Sequence, residues 1–200
     1  MTPNDLKNAL RRAAQTPARP SSDYDLNPDF QLPEGRVLRD AAVLIAFQER
    51  PGGVDLLLTK RASTMKHHPG QIAFPGGKQD PGDRTLVDCA LRESAEEVGL
   101  ASDQIKVLGE LRDHETVTGF RVRPVLGWIS DTFDPVPEEG EVDEAFFIPA
   151  DHVLNPACFQ VQSRYWRRQR RHYYTVPYGP YYIWGATARM LRALADQVAE

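Results

Sequence analysis

Apolar residues fill two unbroken runs in the first third of the chain, AAVLIAF at residues 41–47 and the centre of VDLLLT at residues 54–59. A segment that is apolar at nearly every position suits a strand whose two faces are both buried. The turn at residues 51–53, Pro-Gly-Gly, separates the two runs. The pair therefore predicts a β-hairpin.

Shorter patterns predict the remaining elements. Helical spacing over residues 86–98 predicts a helix, which Asp83 could cap and which Gly99 could end in a left-handed conformation. Further helices are predicted at residues 150–154 and 185–199, strands at 72–74, 106–112, 121–129 and 144–148, and a hairpin over 160–176. Because strands and helices alternate irregularly, we expect an α/β fold in which helices cover a mixed sheet.

The start of the chain has a different character. Residues 5–14 have a helical pattern, and a stretch rich in Pro, Ser and Asp follows them. We interpret residues 1–35 as an N-terminal arm and residues 36–200 as one domain.

Composition narrows the class of protein. The net charge of −4 gives no general reason to expect nucleic acid or an acidic membrane as a partner. No apolar run reaches the roughly 18 residues of a membrane span, and the N-terminus lacks the apolar region of a signal peptide. Cys89 and Cys158 are not in a CxxC pair, which favours two reduced thiols. These features predict a cytoplasmic protein.

Three glutamates, Glu93, Glu96 and Glu97, lie within five residues of the middle helix. Spacings of three and four place their carboxylates on one helix face, roughly 5–6 Å apart at Cβ, where like charges repel. Mg²⁺ or Mn²⁺ would compensate this charge, since both prefer oxygen ligands. Gly76 and Gly77 lack Cβ atoms, so their backbone could approach a ligand or metal closely. The alternative is an ordinary acidic helix face in contact with solvent.

This segment resembles a Nudix box, whose usual pattern is G-x5-E-x7-R-E-U-x-E-E-x-G-U, with U an apolar residue. RESAEEVGL at residues 92–100 matches the second half, except that Ser94 replaces the apolar residue. In the first half, Gly77 lies one residue early relative to Arg92, and Asp83 replaces the usual glutamate.

Two flanking stretches resemble the coenzyme A diphosphatase branch of that superfamily. LLTKRASTMKHHPGQIAFPGG at residues 57–77 is similar to the branch signature LLTxR[SA]x3Rx3Gx3FPGG, with Lys66 in place of an arginine. YYIWGATARML at residues 181–191 is similar to a later IWGxTAxxL stretch. The resemblance implies a Nudix fold, which is an α/β/α sandwich with a mixed curved sheet.

The resemblance also implies a reaction, the metal-dependent hydrolysis of the pyrophosphate in coenzyme A or its derivatives to 3′,5′-ADP and 4′-phosphopantetheine. Glu93 and Glu97 would be the main ligands of Mg²⁺ or Mn²⁺. Glu96 would bind a further ion, or orient or deprotonate the attacking water. Arg92 would fix the conformation of one of these acids. The general base is left open between Glu96 and a glutamate from a distant loop, either Glu141 or Glu144.

A basic loop precedes the box. Arg61 and Lys66, together with Gly76 and Gly77, are expected to contact the small-molecule substrate, the two basic side chains by binding phosphates. The adjacent His67 and His68 have little value as metal ligands, because neighbouring side chains point apart on an extended chain. The alternative is a solvated basic loop.

The last distinctive stretch mixes arginines with aromatic residues. Its five arginines are Arg164, Arg167, Arg168, Arg170 and Arg171. This composition is consistent with RNA binding or base stacking, and a polar hairpin or the edge of a homodimer would explain it equally well. Other functions left open are a Nudix hydrolase for ADP-ribose or a dinucleotide, and a non-catalytic module that binds nucleotide or RNA.

Overall fold

The computed structural model describes residues 1–30, 35–166 and 169–199. The α-helices of this part are α1 (Pro3–Gln15), α2 (Leu86–Val98), α3 (Ala150–Val153) and α4 (Gly185–Ala199). The strands are β1 (Ser21–Ser22), β2 (Arg39–Arg50), β3 (Gly53–Arg61), β4 (Ile72–Ala73), β5 (Gly76–Lys78), β6 (Ile105–Glu110), β7 (His114–Glu115), β8 (Phe120–Ile129), β9 (Val142–Pro149), β10 (Gln160–Trp166) and β11 (Gln169–Thr175).

Strand β2 organises the main sheet. It pairs in parallel with β8 along most of its length, and antiparallel with β3 near its end and with β5 near its start. Strand β9 lies antiparallel to β3, and β6 lies antiparallel to β8. The sheet is therefore mixed, as the irregular order of elements predicts. The β2–β5 pairing places the glycine turn at residues 76–77 in the middle of this sheet.

The two faces of β2 are both buried, as its unbroken apolar pattern predicts. Leu44 and its alternate neighbours pack towards α2, whereas Ile45 and Phe47 pack towards α1 and α4. All three side chains have no exposed surface. Two hydrophobic cores result, one on each side of the sheet, and the α/β/α arrangement is confirmed.

The residue that caps the central helix differs from the predicted one. Thr85 caps α2 by accepting a hydrogen bond from Asp88 N–H, and the Asp88 side chain accepts one from Thr85 N–H. The prediction of Asp83 as the cap is therefore wrong. Gly99 does end the helix with φ = 72°, in the left-handed region where glycine is favoured.

The N-terminal segment packs on the domain. Helix α1 buries Leu6, Leu10 and Ala13 in the same core as α4, and β1 pairs in parallel with β7. Thr2 caps the helix and Pro3 occupies its first turn, where the missing N–H of proline costs nothing. The boundary at residue 35 stays a prediction, but the segment before it contributes side chains to the core.

Strands β10 and β11 form a separate two-stranded hairpin beside α4, as predicted. The side-chain amide of Asn27 donates to the carbonyl of His172 (2.9 Å) and accepts from its N–H (2.8 Å). The Asn27 side chain therefore makes the two backbone hydrogen bonds that a neighbouring strand would make at this outer edge of β11. Arg167 and Arg168 lie outside the described residues.

Cys89 and Cys158 are both free thiols. In the described part of the chain, every helix is too short or too polar to cross a membrane.

Candidate active site

The glycine turn holds the carboxylate of Glu97. The Gly76 N–H donates to Glu97 Oε2 (3.0 Å), and the residue is only 4% exposed. Burial raises the pKa of Glu97 to about 7, although the hydrogen bond from Gly76 and the charge of Arg61 act in the opposite direction. A carboxylate in this state gains from a cation placed beside it.

The second glycine leaves room for Glu93. A Cβ built on Gly77 would lie 2.4–2.5 Å from the three carboxyl atoms of Glu93, so this carboxylate lies directly against the glycine backbone. Burial also raises the pKa of Glu93, and Arg92 lowers it in part. Ser94, the departure from the apolar pattern, is fully buried and donates to the Ala90 carbonyl (2.7 Å).

Arg92 binds several acids at once. Its Nε and one terminal nitrogen donate to the two oxygens of Asp83, both at 2.9 Å, in a bidentate pair. It also contacts Glu93 (3.0 Å) and Glu96 (2.8 Å). Hydrogen bonding to Arg92 holds the pKa of Asp83 at about 2. The arrangement fixes Arg92 and, through it, the position of Glu93.

The three box glutamates do not converge. Glu93 and Glu97 face the glycine turn, whereas the Glu96 side chain is 59% exposed and held by Arg92. Across residues 1–30, 35–166 and 169–199, no group of three His, Cys, Asp or Glu side chains could hold a metal ion. A buried and a partly buried carboxylate beside a glycine backbone do fit Mg²⁺, which often takes one or two carboxylates and completes its shell with substrate phosphates and water.

Arg61 reaches the same site from the end of β3. Its Nη1 lies 3.9 Å from Glu97 Oε1, and its Nη2 contacts the sulfur of Met65 (3.0 Å). Lys66 and the neighbouring His67 and His68 are exposed on the loop that follows. The structure therefore brings Arg61 to the carboxylates and leaves Lys66 at the surface.

The two glutamates suggested as a distant base have different surroundings. The charge of Glu141 lies close enough to raise the pKa of both Glu93 and Glu97. Glu144 accepts a hydrogen bond from the Tyr181 hydroxyl (2.5 Å), and the ring of Tyr181 stacks on Phe146 at 3.7 Å. The Glu141 carbonyl accepts a hydrogen bond from Ala62 N–H (2.8 Å), so Glu141 lies beside the end of β3 that carries Arg61, whereas Glu144 binds the C-terminal segment to β9.

The sequence pattern did not reveal the roles of Asp83 and Tyr181. A local signal for Asp83 did exist, because Thr85 and Asp88 form a T-x-x-D capping pair that leaves Asp83 outside the helix. No local pattern identifies the Tyr181–Glu144 contact, since its partners are 37 residues apart.

Comparison with known proteins decides the family. The family model described as NUDIX domain matches residues 37–170, which is more than half of the chain. This chain belongs to the Nudix family. The match extends from the start of the main sheet into the β10–β11 hairpin and includes the Nudix box.

Similar proteins support this assignment. A protein named "Uncharacterized Nudix hydrolase NudL" from Enterobacter sp. (strain 638) is 39% identical over 177 residues, covering 84% of this chain and 91% of that protein. Its namesake from Cronobacter sakazakii is 39% identical over 162 residues, covering 81% and 84%. The crystal structure of a MutT/nudix family protein from Enterococcus faecalis covers 100% of this chain and 75% of that one, with a TM-score of 0.51 and 15% identity. That structure supports the fold alone.

The protein is therefore a Nudix hydrolase that acts on nucleoside diphosphate derivatives. The predicted Nudix fold is confirmed. Members of this family generally use divalent metal ions, in agreement with the paired carboxylates of the Nudix helix.

Proposed function

We propose that this Nudix hydrolase cleaves the pyrophosphate of coenzyme A or its derivatives, to give 3′,5′-ADP and 4′-phosphopantetheine. The reaction would use Mg²⁺ or Mn²⁺, and Glu93 and Glu97 would be the main ligands. Coenzyme A joins a nucleotide to a pantetheine arm through a pyrophosphate, so its site needs charge compensation at the pyrophosphate and fixed positive charge nearby.

The observation that carries this proposal is the contact between separate stretches of the coenzyme A diphosphatase resemblance. Arg61, from the stretch before the box, lies 3.9 Å from Glu97 of the box. Thr187, from the C-terminal stretch, donates to the carbonyl of Ile72 (3.1 Å) in the stretch before the box. Separate stretches of the signature therefore contact one another or the box, which supports the proposal that they serve one substrate.

A bound divalent ion would neutralise charge on the phosphate oxygens and lower the pKa of a bound water. The protein's own groups would do the rest. Glu93 and Glu97 provide oxygen ligands, and Gly76 N–H fixes one oxygen of Glu97. Arg61 binds a phosphate oxygen through its guanidinium, and Lys66 adds charge from the loop.

We propose Glu141 as the group that accepts the proton of the attacking water, because its backbone is hydrogen-bonded to Ala62 beside Arg61 and its charge raises the pKa of both Glu93 and Glu97. Glu96 is the alternative, and its exposed carboxylate is held by Arg92 at 2.8 Å. Replacing Glu141 and Glu96 by Gln, one at a time, tests which of them is the base. The variant that lacks the base should have a much lower kcat, and its kcat should no longer fall with decreasing pH on the acidic side. The other variant should keep the wild-type dependence of kcat on pH.

A substrate panel tests the proposal. Coenzyme A, ADP-ribose, NADH and a dinucleoside polyphosphate are each incubated with Mg²⁺ and with Mn²⁺, and products are identified by mass. We expect kcat/KM for coenzyme A to exceed that for ADP-ribose and NADH by at least about tenfold, or about 1.4 kcal/mol of transition-state discrimination.

Two variants control the panel. Glu97→Gln keeps the size of the side chain, removes a ligand oxygen and should lower turnover by orders of magnitude while circular dichroism is unchanged. Glu139→Gln changes an exposed loop carboxylate and should have wild-type activity. Faster cleavage of ADP-ribose than of coenzyme A would contradict the branch assignment, and binding without any turnover would indicate a non-catalytic module.

A further inference from the structure

A cation and three aromatic rings lie together at the junction of the hairpin and the C-terminal segment. Arg164 Cζ lies 4.4 Å from the ring centroid of Trp184 and 6.0 Å from that of Tyr173. The rings of Tyr173 and Trp184 meet edge to face at 5.3 Å. Burial, together with the neighbouring Tyr173 side chain, raises the pKa of Tyr182 to about 12, so Tyr182 lies beside Tyr173. We call these four residues the cation–aromatic platform.

The platform is open to solvent and carries a positive charge. Arg164 is exposed, and Tyr182 retains 48% of its surface. Within the described ranges, Arg164 has no ion pair with a carboxylate, while its guanidinium lies over the indole of Trp184. A guanidinium stacked on one side keeps its other plane available, and such planes, like aromatic rings, accept stacked nucleobases.

The residue that follows the platform in the chain lies near the loop that follows Arg61. A Cβ on Gly185, the residue after Trp184, would lie 3.8 Å from Gln71 Nε2. The Gln71 carbonyl accepts a hydrogen bond from Arg61 N–H (3.0 Å), and Arg61 contacts Glu97. The residue after Trp184 therefore lies near a loop residue that is hydrogen-bonded to Arg61, and we infer that one extended substrate could contact both the platform and the carboxylates.

The other described arginines of the hairpin are differently placed. Arg171 is only 9% exposed and lies over the rings of Tyr24 and Phe30, at 5.1 and 4.9 Å. Arg170 donates to Ser163 Oγ (2.9 Å). By strand alternation, Arg170 and Ser163 lie on the opposite face of the hairpin from Arg164. Arg164 is the described hairpin arginine that combines exposure with an aromatic stack.

We propose that Arg164, Tyr173, Tyr182 and Trp184 form the subsite for the purine base in the nucleotide half of the substrate. This inference rests on the proposed function for the link between base binding and turnover. The flat rings and guanidinium match a base, and the positive charge suits the adjoining phosphates. Gly185, the residue after Trp184, lies near Gln71, which is hydrogen-bonded to Arg61 of the pyrophosphate site.

The test compares two ligands that differ only in the base. Neither 5′-AMP nor ribose 5-phosphate contains a pyrophosphate, so the enzyme cannot cleave them during the measurement. Isothermal titration calorimetry gives the affinity of the protein for each ligand, and the ratio of the two affinities measures the contribution of the base. We expect the wild-type protein to bind 5′-AMP at least about tenfold more tightly. Arg164→Ala and Tyr182→Ala should each lower this ratio about fivefold or more. Arg170→Ala removes the same charge from the opposite face and should leave the ratio unchanged.

Kinetics provide a second measurement. Arg164→Ala should raise KM for coenzyme A about tenfold with kcat nearly unchanged, because base stacking contributes equally to the bound substrate and the transition state. The subsite is wrong if the affinity ratio survives in both Arg164→Ala and Tyr182→Ala, if Arg170→Ala lowers it equally, or if Arg164→Ala weakens both ligands alike.

The two proposals can fail separately. A protein that shows the expected affinity ratios but does not cleave coenzyme A retains the subsite and loses the proposed function. A protein that cleaves coenzyme A with ratios insensitive to Arg164 retains the proposed function and loses the subsite. Circular dichroism of each variant shows whether a lost ratio reflects a lost fold, and Tyr182→Phe, which keeps the ring, should retain the ratio.

Discussion

At the scale of single residues, the two glycines of the turn have different reasons to lack a side chain. A Cβ on Gly76 would meet backbone atoms, Ala42 O at 2.4 Å and Val43 Cα at 2.6 Å, and its φ of 152° is strained for other residues. A Cβ on Gly77 would meet only the movable carboxyl end of Glu93. Backbone atoms inside a paired sheet cannot shift as easily as a side chain can.

Alanine at these two positions should therefore separate stability from activity. Gly77→Ala should fold normally, displace Glu93 and weaken the apparent Mg²⁺ affinity by about 10- to 100-fold, the usual effect of disturbing a ligand. Gly76→Ala should lower the melting temperature. Metal titration of activity and thermal unfolding check both, and a destabilised Gly77→Ala with unchanged metal affinity would contradict the prediction.

The bidentate pair of Asp83 and Arg92 should make stability depend on pH in acid. Arg92 lowers the pKa of Asp83 from 3.8 to about 2, so the pair stabilises the folded state above pH about 4. That contribution is lost as pH falls through the folded pKa of about 2. Asp83→Asn should cost about 1–2 kcal/mol of unfolding free energy at pH 7.

Urea unfolding of wild type and Asp83→Asn at pH 7 and at pH 3 checks this prediction. The difference between the two proteins should shrink at the lower pH, because wild-type Asp83 itself begins to bind a proton. Asp80→Asn, a change at a more exposed carboxylate 4.0 Å from Arg92, serves as the matched control and should have a smaller effect. A difference that grows in acid would show that the pair does not stabilise the fold.

At the scale of elements, the outer edge of the β10–β11 hairpin depends on one side chain. Asn27→Ala removes both hydrogen bonds to the backbone of His172 and leaves those groups without a protein partner. We expect a loss of about 1–3 kcal/mol of unfolding free energy and faster hydrogen exchange in β11. Asn8→Ala, at an exposed position on α1, should change neither. Exchange in β11 as slow as in wild type would refute the role of Asn27.

The elements predicted from sequence share one property, which is that their signal is local. The unbroken run of β2, the Gly-Gly turn before β3 and the glycine after α2 each specify structure within a few residues. The contact of Asn27 with His172 joins residues 145 apart, and no periodic pattern encodes it. Asp83 was misassigned because an aspartate before a helix favours a cap. The Thr85–Asp88 pair gave the local signal against it, whereas the contact with Arg92 is seen only in the folded structure.

In the candidate site, too, local spacing predicts some features, and contacts between residues distant in sequence determine the others. Local spacing placed Glu93 and Glu97 together, and their burial against the glycine turn is consistent with the metal hypothesis. Spacing alone also placed Glu96 with them, although Arg92, four residues earlier, turns that side chain outward. The neighbourhood of Glu141 and the stack of Arg164 on Trp184 depend on how distant strands pack.

At the scale of the whole molecule, the N-terminal segment decides where the folding unit begins. An arm that only precedes the domain would be dispensable, yet α1 covers one face of the sheet and packs against α4. Leu10 has no exposed surface, and Leu6 is 3% exposed. Fully burying each leucine contributes about 1.5–3 kcal/mol. The helix should therefore belong to the cooperative unit, whatever boundary the sequence pattern favours.

Leu10→Ala tests this directly. Because the cavity would open at a fully buried position, we expect the unfolding free energy to fall by about 2–4 kcal/mol. Leu10→Met keeps the volume and should cost less than about 1.5 kcal/mol. Chemical unfolding followed by circular dichroism and by tryptophan fluorescence should give coincident transitions in all three proteins, since Trp128 lies in the core that α1 covers. If Leu10→Ala unfolds like wild type, or if α1 melts in a separate transition, the segment is an appended arm and the domain begins near Arg36.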